Sequence, residues 1–183
     1  LEMIIAVGFR AKSSVGNTFR KWANGILHSY MVKGFALDDE RLADPARFGK
    51  DYFDELLSRI RAIRASEKRL YQAVRDIYAT SVDYDPHDEK TSEFYKTVQN
   101  KMHYAVSGRT AAEIVYSRSD ATKDNMGLTS WAGERVQKDD VTVAKNYLSK
   151  EEIDTLNRIV SMYLDHAEMM AKEHIPMHMS DWK

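Results

Sequence analysis

"DYFDELLSRIRAIRASEKRLYQAVRDIY", residues 51–78, contains neither glycine nor proline, and its apolar side chains recur at helical intervals. Leu56, Ile60, Ile63, Leu70, Val74 and Ile77 are separated by 4, 3, 7, 4 and 3 residues, with Glu67 in the skipped place. A 3.5-residue repeat keeps one stripe of side chains on one side of a helix, facing a partner. The stretch therefore predicts one long helix, about 40 Å at 1.5 Å per residue. It points to a mainly all-α fold, a helical bundle with one or two long members.

Upstream, "GNTFRKWANGILHSYMVKG", residues 16–34, places Phe19, Trp22, Ile26, Leu27 and Tyr30 on one helical face, with Arg20, Lys21 and Lys33 around it. Asn17 or Thr18 is the expected N-cap, and Gly34 stands where a helix-terminating glycine belongs. The aromatic face is expected in the core and the basic face outside. "MIIAVGF" and the Gly- and Ser-containing turn after it read as a short N-terminal strand-like stub.

Downstream, a helix from about Ser92 to Val106 turns Phe94, Tyr95, Val98, Met102 and Ala105 inward and closes at Gly108. "TAAE" (110–113) and "SKEE" (149–152) have the form of capping boxes, a hydroxyl at N-cap and Glu at N3. The first opens a short helix through Tyr116. The second opens a helix to about Lys172, with Ile153, Leu156, Val160, Tyr163, Ala167 and Met170 on its inner face. Between them runs a long, weakly periodic loop, in which Asp140 is expected to cap "VTVAKNYL". Pro45, Pro86 and Pro176 mark the joints.

Composition narrows the function. With 183 residues, 43% hydrophobic and 30% charged, the chain can build one well-buried core and an appended lobe. It has no cysteine, which rules out disulfides and thiolate metal sites. No apolar run reaches the roughly 18 residues of a membrane span, and "MIIAVGF" is too short for a signal core, so a cytoplasmic protein without membrane contact is expected. Neither phosphate-binding loop, GxxxxGK[ST] or GxGxxG, occurs, and HExxH and GxSxG are absent. His174 and His178 have i,i+4 spacing, but Pro176 between them breaks the helix that would make it useful. No catalytic residue, metal ligand or cofactor is assigned. Asp38, Asp39, Asp139 and Asp140 sit at helix starts, where capping accounts for them.

Charge carries more information. The net charge of −1 hides a segment from Met3 to Leu37 with five basic residues and no acid, and a stretch from Asp76 to Glu89 with five acids and no base. Between residues 58 and 75 six Lys or Arg face one acid, and Arg61, Arg64, Lys68 and Arg75 form a row at spacings of 3, 4 and 7. With Arg20 and Lys21 these are the candidate nucleic-acid-contacting residues, because such a row can track a phosphate backbone. The plain alternative is a solvated helix face with i,i±4 pairing. The seam of Leu56, Ile60, Ile63, Leu70 and Val74 has two readings as well, a bundle interior or the contact of a homodimer, with Glu67 setting register. A protein partner would use that seam and the acidic linker at 83–93. A metal-dependent nuclease would have to draw on Asp120, Asp124, Glu134 and Asp139, near Trp131 in the long loop.

"IIAVGFRAKSSVGNTFRKWANGILHSYMVKGFALDDERL", "YFDELLSRIRAIRASEKRLYQAVRDIYATSVDYDP", "TVQNKMHYAVSGRTAAEIV", "NMGLTSW" and "VTVAKNYLSKEEIDTLNRIVSMYLDHAE" together resemble the virulence protein RhuM family over nearly the whole chain. The resemblance implies a bacterial cytoplasmic protein, described as DNA-binding and encoded beside type I restriction–modification systems. Related segments occur fused to Fic domains, whose HPFxxGNGR signature this chain lacks, so AMP transfer does not carry over. "GNTFRKWANGILHSYMVKG" is also similar to the closing helix of Bro-N-type phage antirepressor domains, which places Phe19, Trp22 and Leu27 in a core and Arg20 and Lys21 outward. On that basis residues 1–37 are the tail end of a Bro-N-like unit and 38–183 a helical RhuM-type domain, a fragment of a longer protein. The expected function is that of a non-catalytic DNA-associated accessory or regulatory protein. The alternatives are an interaction or oligomerisation module without nucleic acid, and the nuclease.

Overall fold

The computed structural model describes residues 2–44, 52–84, 90–131 and 133–182. They form helices α1 (Glu2–Arg10), α2 (Ser14–Lys33), α3 (Asp39–Ala43), α4 (Phe53–Arg64), α5 (Glu67–Ala79), α6 (Lys90–Ser107), α7 (Ala111–Arg118) and α8 (Lys150–Lys172). No strand is present among the described residues, so the fold is all-α. The N-terminal stretch expected to be strand-like is instead helix α1: its apolar residues carry a helical rather than an alternating pattern once they have α2 to lie against. Two compact units divide the chain, Leu1–Phe53 and Asp54–Lys183.

In the first unit α1 and α2 form a hairpin. Ser13, not Asn17 or Thr18, caps α2, its Oγ accepting from the Gly16 backbone N–H at 3.1 Å. Gly34 ends the helix in the left-handed conformation (φ 81°), its N–H donating to the Tyr30 carbonyl, as a residue without Cβ does most readily. Phe19 meets Phe9 edge-on at 5.8 Å and lies 5.8 Å from Trp22. Beyond Phe19 the expected core face stays open: Trp22 is 61% exposed, and Ile26, Leu27 and Tyr30 are exposed too. A two-helix hairpin can cover only a narrow stripe of each member, so most of this aromatic face is surface.

The second unit holds the core. Helix α6 packs on α5, α7 and α8, and α5 also packs on α8. Leu70, Val74 and Tyr78 of α5, Phe94, Val98 and Met102 of α6, Ile114 of α7, and Leu156, Val160, Leu164 and Ala167 of α8 are buried together. Both predicted capping boxes form, at Thr110–Glu113 and Ser149–Glu152. Ala105, expected inward, is exposed, and His103 is buried in its place at 3% exposure. Asp140 does not start a helix; its carboxylate accepts from the Gln137 N–H behind it, and the segment forms 3₁₀ turns at Asp139–Thr142 and Ala144–Tyr147. In the long loop, Asn125, Met126 and Gly127 have φ of 53°, 56° and 81°. A Cβ at Gly127 would come within 2.6 Å of the Arg118 carbonyl, so only glycine fits that turn.

The helix expected over 51–78 is two helices. It breaks at Ala65 and Ser66, where Ser66 is extended (φ −67°, ψ 141°) and its hydroxyl donates to the Ile63 carbonyl at 2.8 Å. The Ala65 carbonyl, which a continuous helix would pair with a backbone N–H, accepts instead from the Lys145 ammonium at 3.1 Å. Ser competes for local backbone groups, and a cation from a distant turn takes the freed acceptor. Glu67 lies at the start of α5, and its side chain, like residues 85–89 of the acidic linker, is outside the described residues.

Lys145 also reaches Asn157 Oδ1 at 3.4 Å, and its charge and burial together lower the His103 pKa, with burial the larger cause. The Nδ1 atom of His103 is buried and has no hydrogen-bond partner among the described residues. The folded state therefore resists protonation that the unfolded chain accepts near pH 6.5. Stability is full above that pH and falls as pH drops below it. Urea midpoints measured between pH 7.5 and 5.5 are expected to fall for the wild type and to fall less for His103→Gln. Equal slopes would show that His103 does not carry the effect.

Candidate nucleic-acid interface

The six predicted basic residues do not share one environment. The Arg20 guanidinium donates through Nη1 to the carbonyls of Gly8, Phe9 and Ala11 at 3.3, 3.4 and 2.9 Å. It caps the C-terminal end of α1, where carbonyls lack helical partners and a cation is favoured. Arg64 donates to Asp165 at 2.6 Å and Glu168 at 3.0 Å, tying the end of α4 to α8. The side chains of Lys21, Arg61, Lys68 and Arg75 form no hydrogen bond or ion pair among the described residues, and Lys21, Lys68 and Arg75 are exposed. Arg59 and Arg69, on the same two helices, are exposed and equally uncommitted. The break after Arg64 divides the row into a pair on α4 and a pair on α5, so straight-helix spacing no longer relates Arg61 to Arg75.

The apolar seam divides at the same break. Leu70 and Val74 are core residues, whereas Ile63 is 58% exposed, Ile60 is exposed and Leu56 half-buried. Of the acids in the long loop, Asp120 accepts from the Thr122 N–H at 3.0 Å and hydroxyl at 2.6 Å, which lowers its pKa, and stands 3.8 Å from Lys123. Among the described residues no three His, Asp or Glu side chains come together as metal ligands. His178 lies 3.8 Å from Asp83, in a tail held to the end of α5 by the Val82 N–H to Met177 carbonyl bond and by Trp182 Nε1 to Ser81 Oγ at 3.2 Å.

A second surface, not singled out by the sequence reading, lies on α6 and α7. Tyr104, Gly108, Arg109, Ala112, Glu113, Tyr116 and Ser117 line an open cavity of about 680 Å³. The inward assignment of Val98 and Met102 already put Tyr104 on the opposite side of α6, and an exposed aromatic was the available signal. Helix α7 is held firmly. Arg118 donates to both oxygens of Glu152, at 2.6 and 2.7 Å, and to the Tyr147 carbonyl at 2.8 Å. The Asn100 side chain accepts from the Ala111 N–H at 3.0 Å.

A family model for the virulence protein RhuM family matches residues 1–183. The chain belongs to the virulence protein RhuM family. No curated protein and no solved structure matches it significantly. No helix among the described residues is long and apolar enough to cross a membrane. Membership makes this a virulence-associated protein of a family named for that association.

The Arg118 bonds, with a smaller contribution from the Ser149 N–H, push the Glu152 pKa down to about 2. Because the folded value lies below the unfolded one, the pair stabilises the fold above about pH 4.5 and the contribution is lost as pH falls towards 2. A shift of that size corresponds to about 3 kcal/mol, reduced by solvent screening because both side chains are partly exposed. Thermal unfolding of Glu152→Gln is expected to show a lower midpoint than the wild type at pH 6 and a difference about half as large at pH 3. A difference that persists unchanged at pH 3 would assign the effect to packing rather than to charge.

Proposed function

We propose that the protein is a DNA-associated accessory protein that contacts phosphates through the cations of α4 and α5. Lys21 of α2 adds a separate contact on the first unit. The supporting observation is that Arg59, Arg61, Lys68, Arg69 and Arg75 crowd two short helices without a carboxylate partner among the described residues. Like charges gathered on two short helices build a positive local potential, and a polyanion is attracted to it while releasing its own counterions. Arg20 on α2 and Arg64 at the end of α4 have guanidiniums already engaged within the chain, so their share in binding is smaller. Phosphate contacts place a protein on DNA without reading its sequence.

A second reading rests on Ile60 and Ile63. Their exposure beside half-buried Leu56 leaves the α4 part of the seam available to a second copy, with Leu70 and Val74 fixing α5 in the core. Light scattering on the wild type and on Ile63→Asp separates the two readings, since only self-association makes the mass depend on that residue.

Binding of a hairpin-capped DNA duplex should weaken by about a hundredfold between 50 and 200 mM salt if roughly four phosphates are contacted. Lys68→Gln and Arg75→Gln should each lower the slope of log affinity against log salt by about one. Arg64→Gln should change the slope less. Failure of the wild type to bind duplex at 50 mM salt would overturn the proposal.

A further inference from the structure

Tyr116 is 89% exposed and Tyr104 61% exposed, although each carries a ring large enough to stabilise the fold if covered. They stand on successive helices, α6 and α7, joined by a tight turn in which Gly108 has φ 67°. Gly108 and Ala112, which line the same cavity, are too small to fill it. Arg109 stands at the same cavity, its Nη1 donating only to Ser117 Oγ at 3.3 Å. The carboxylate of Glu113 is turned into the helix cap, where it accepts from the Thr110 N–H and hydroxyl at 2.7 and 2.8 Å. It forms no hydrogen bond with Arg109, whose nearby charge nevertheless helps to hold the Glu113 pKa down, after the Thr110 hydrogen bonds. Two exposed rings, small residues beside them and a guanidinium that is hydrogen-bonded to a hydroxyl rather than to a carboxylate are the parts with which proteins hold unpaired bases, by stacking on the rings and attracting the phosphate.

We infer that the Tyr104–Arg109–Tyr116 cleft is a stacking site for unpaired bases of single-stranded nucleic acid, an inference that rests on the nucleic-acid reading and adds a second, separate surface to it. The site is pre-formed. The capping box at Thr110, the Asn100 bond to Ala111 and the Arg118–Glu152 pair hold α7 against α6 and α8 before any ligand arrives, which lowers the ordering cost of binding. The site, about 680 Å³ in volume, is a shallow depression open to solvent, which suits a strand that continues beyond the stacked base. No buried donor or acceptor lines it to read base edges, so stacking there is tolerant of sequence. The cations of α4 and α5 have no aromatic role of this kind and suit the duplex backbone.

The test uses the whole chain, a labelled oligothymidylate of about 12 nucleotides and the hairpin-capped duplex. Tyr104→Ala and Tyr116→Ala are expected each to weaken single-strand binding by roughly five- to a hundredfold, while Tyr104→Phe and Tyr116→Phe retain it because the ring stacks without the hydroxyl. Arg109→Gln should reduce the salt dependence of single-strand binding, and duplex binding should be the same in all five variants. Single-strand binding that is absent, or unchanged in both alanine variants, overturns the cleft; if duplex binding persists, the basic-face reading stands without it. Single-strand binding lost in the alanine variants together with no duplex binding in the wild type supports the cleft and overturns the basic-face reading. Both tyrosines are exposed, so the alanine variants are expected to unfold at the wild-type temperature.

Discussion

The Arg118–Glu152 pair is the joint on which the second unit depends. One guanidinium satisfies both oxygens of a carboxylate and the Tyr147 carbonyl, and the same carboxylate accepts from the first backbone N–H of the α8 cap. A bidentate pair has a defined geometry as well as an energy. Its loss would free the end of α7, the last 3₁₀ turn and the start of α8 together. The surface that α6 and α7 present, with Tyr104 and Tyr116 on it, inherits its rigidity from this joint.

A second polar cluster, Lys145 with Ala65, Asn157 and His103, does for α4 and α5 what Arg118 does for α7. It lies among apolar core residues, where a charged ammonium is tolerated because two oxygens accept from it. The consequence reaches the surface. By ending α4 at Arg64, the break leaves Arg64 against the carboxylates of α8, and it separates the cations and apolar residues of α4 from those of α5. The charge pattern of the exterior is thus set partly by a polar contact in the interior.

Much of this architecture was legible in local sequence. The capping boxes at Thr110 and Ser149, the end of α2 at Gly34 and the inner faces of α6 and α8 depend on contacts within about four residues, and short-range rules describe them well. The candidate surfaces were less legible. Lys21, Lys68 and Arg75 stand out in a list of charges as clearly as Arg20 and Arg64 do, yet only the latter two are held inside the chain. The pattern of Leu56, Ile60 and Ile63 matches that of Leu70 and Val74, yet burial differs across the break.

By itself, then, the sequence determined the all-α class, the starts of α7 and α8, the end of α2 at Gly34, and the family, because each is carried by local hydrogen bonds, apolar spacing or motifs along the chain. Tertiary structure decided which of these groups remain free. Lys145 finds the Ala65 carbonyl across 80 residues, Arg64 finds Asp165 across 101, and Arg118 finds Glu152 across 34. No local periodicity encodes such pairings, since they depend on where packing of the core brings distant helices, and they decide which cations and aromatic rings the protein leaves for a partner.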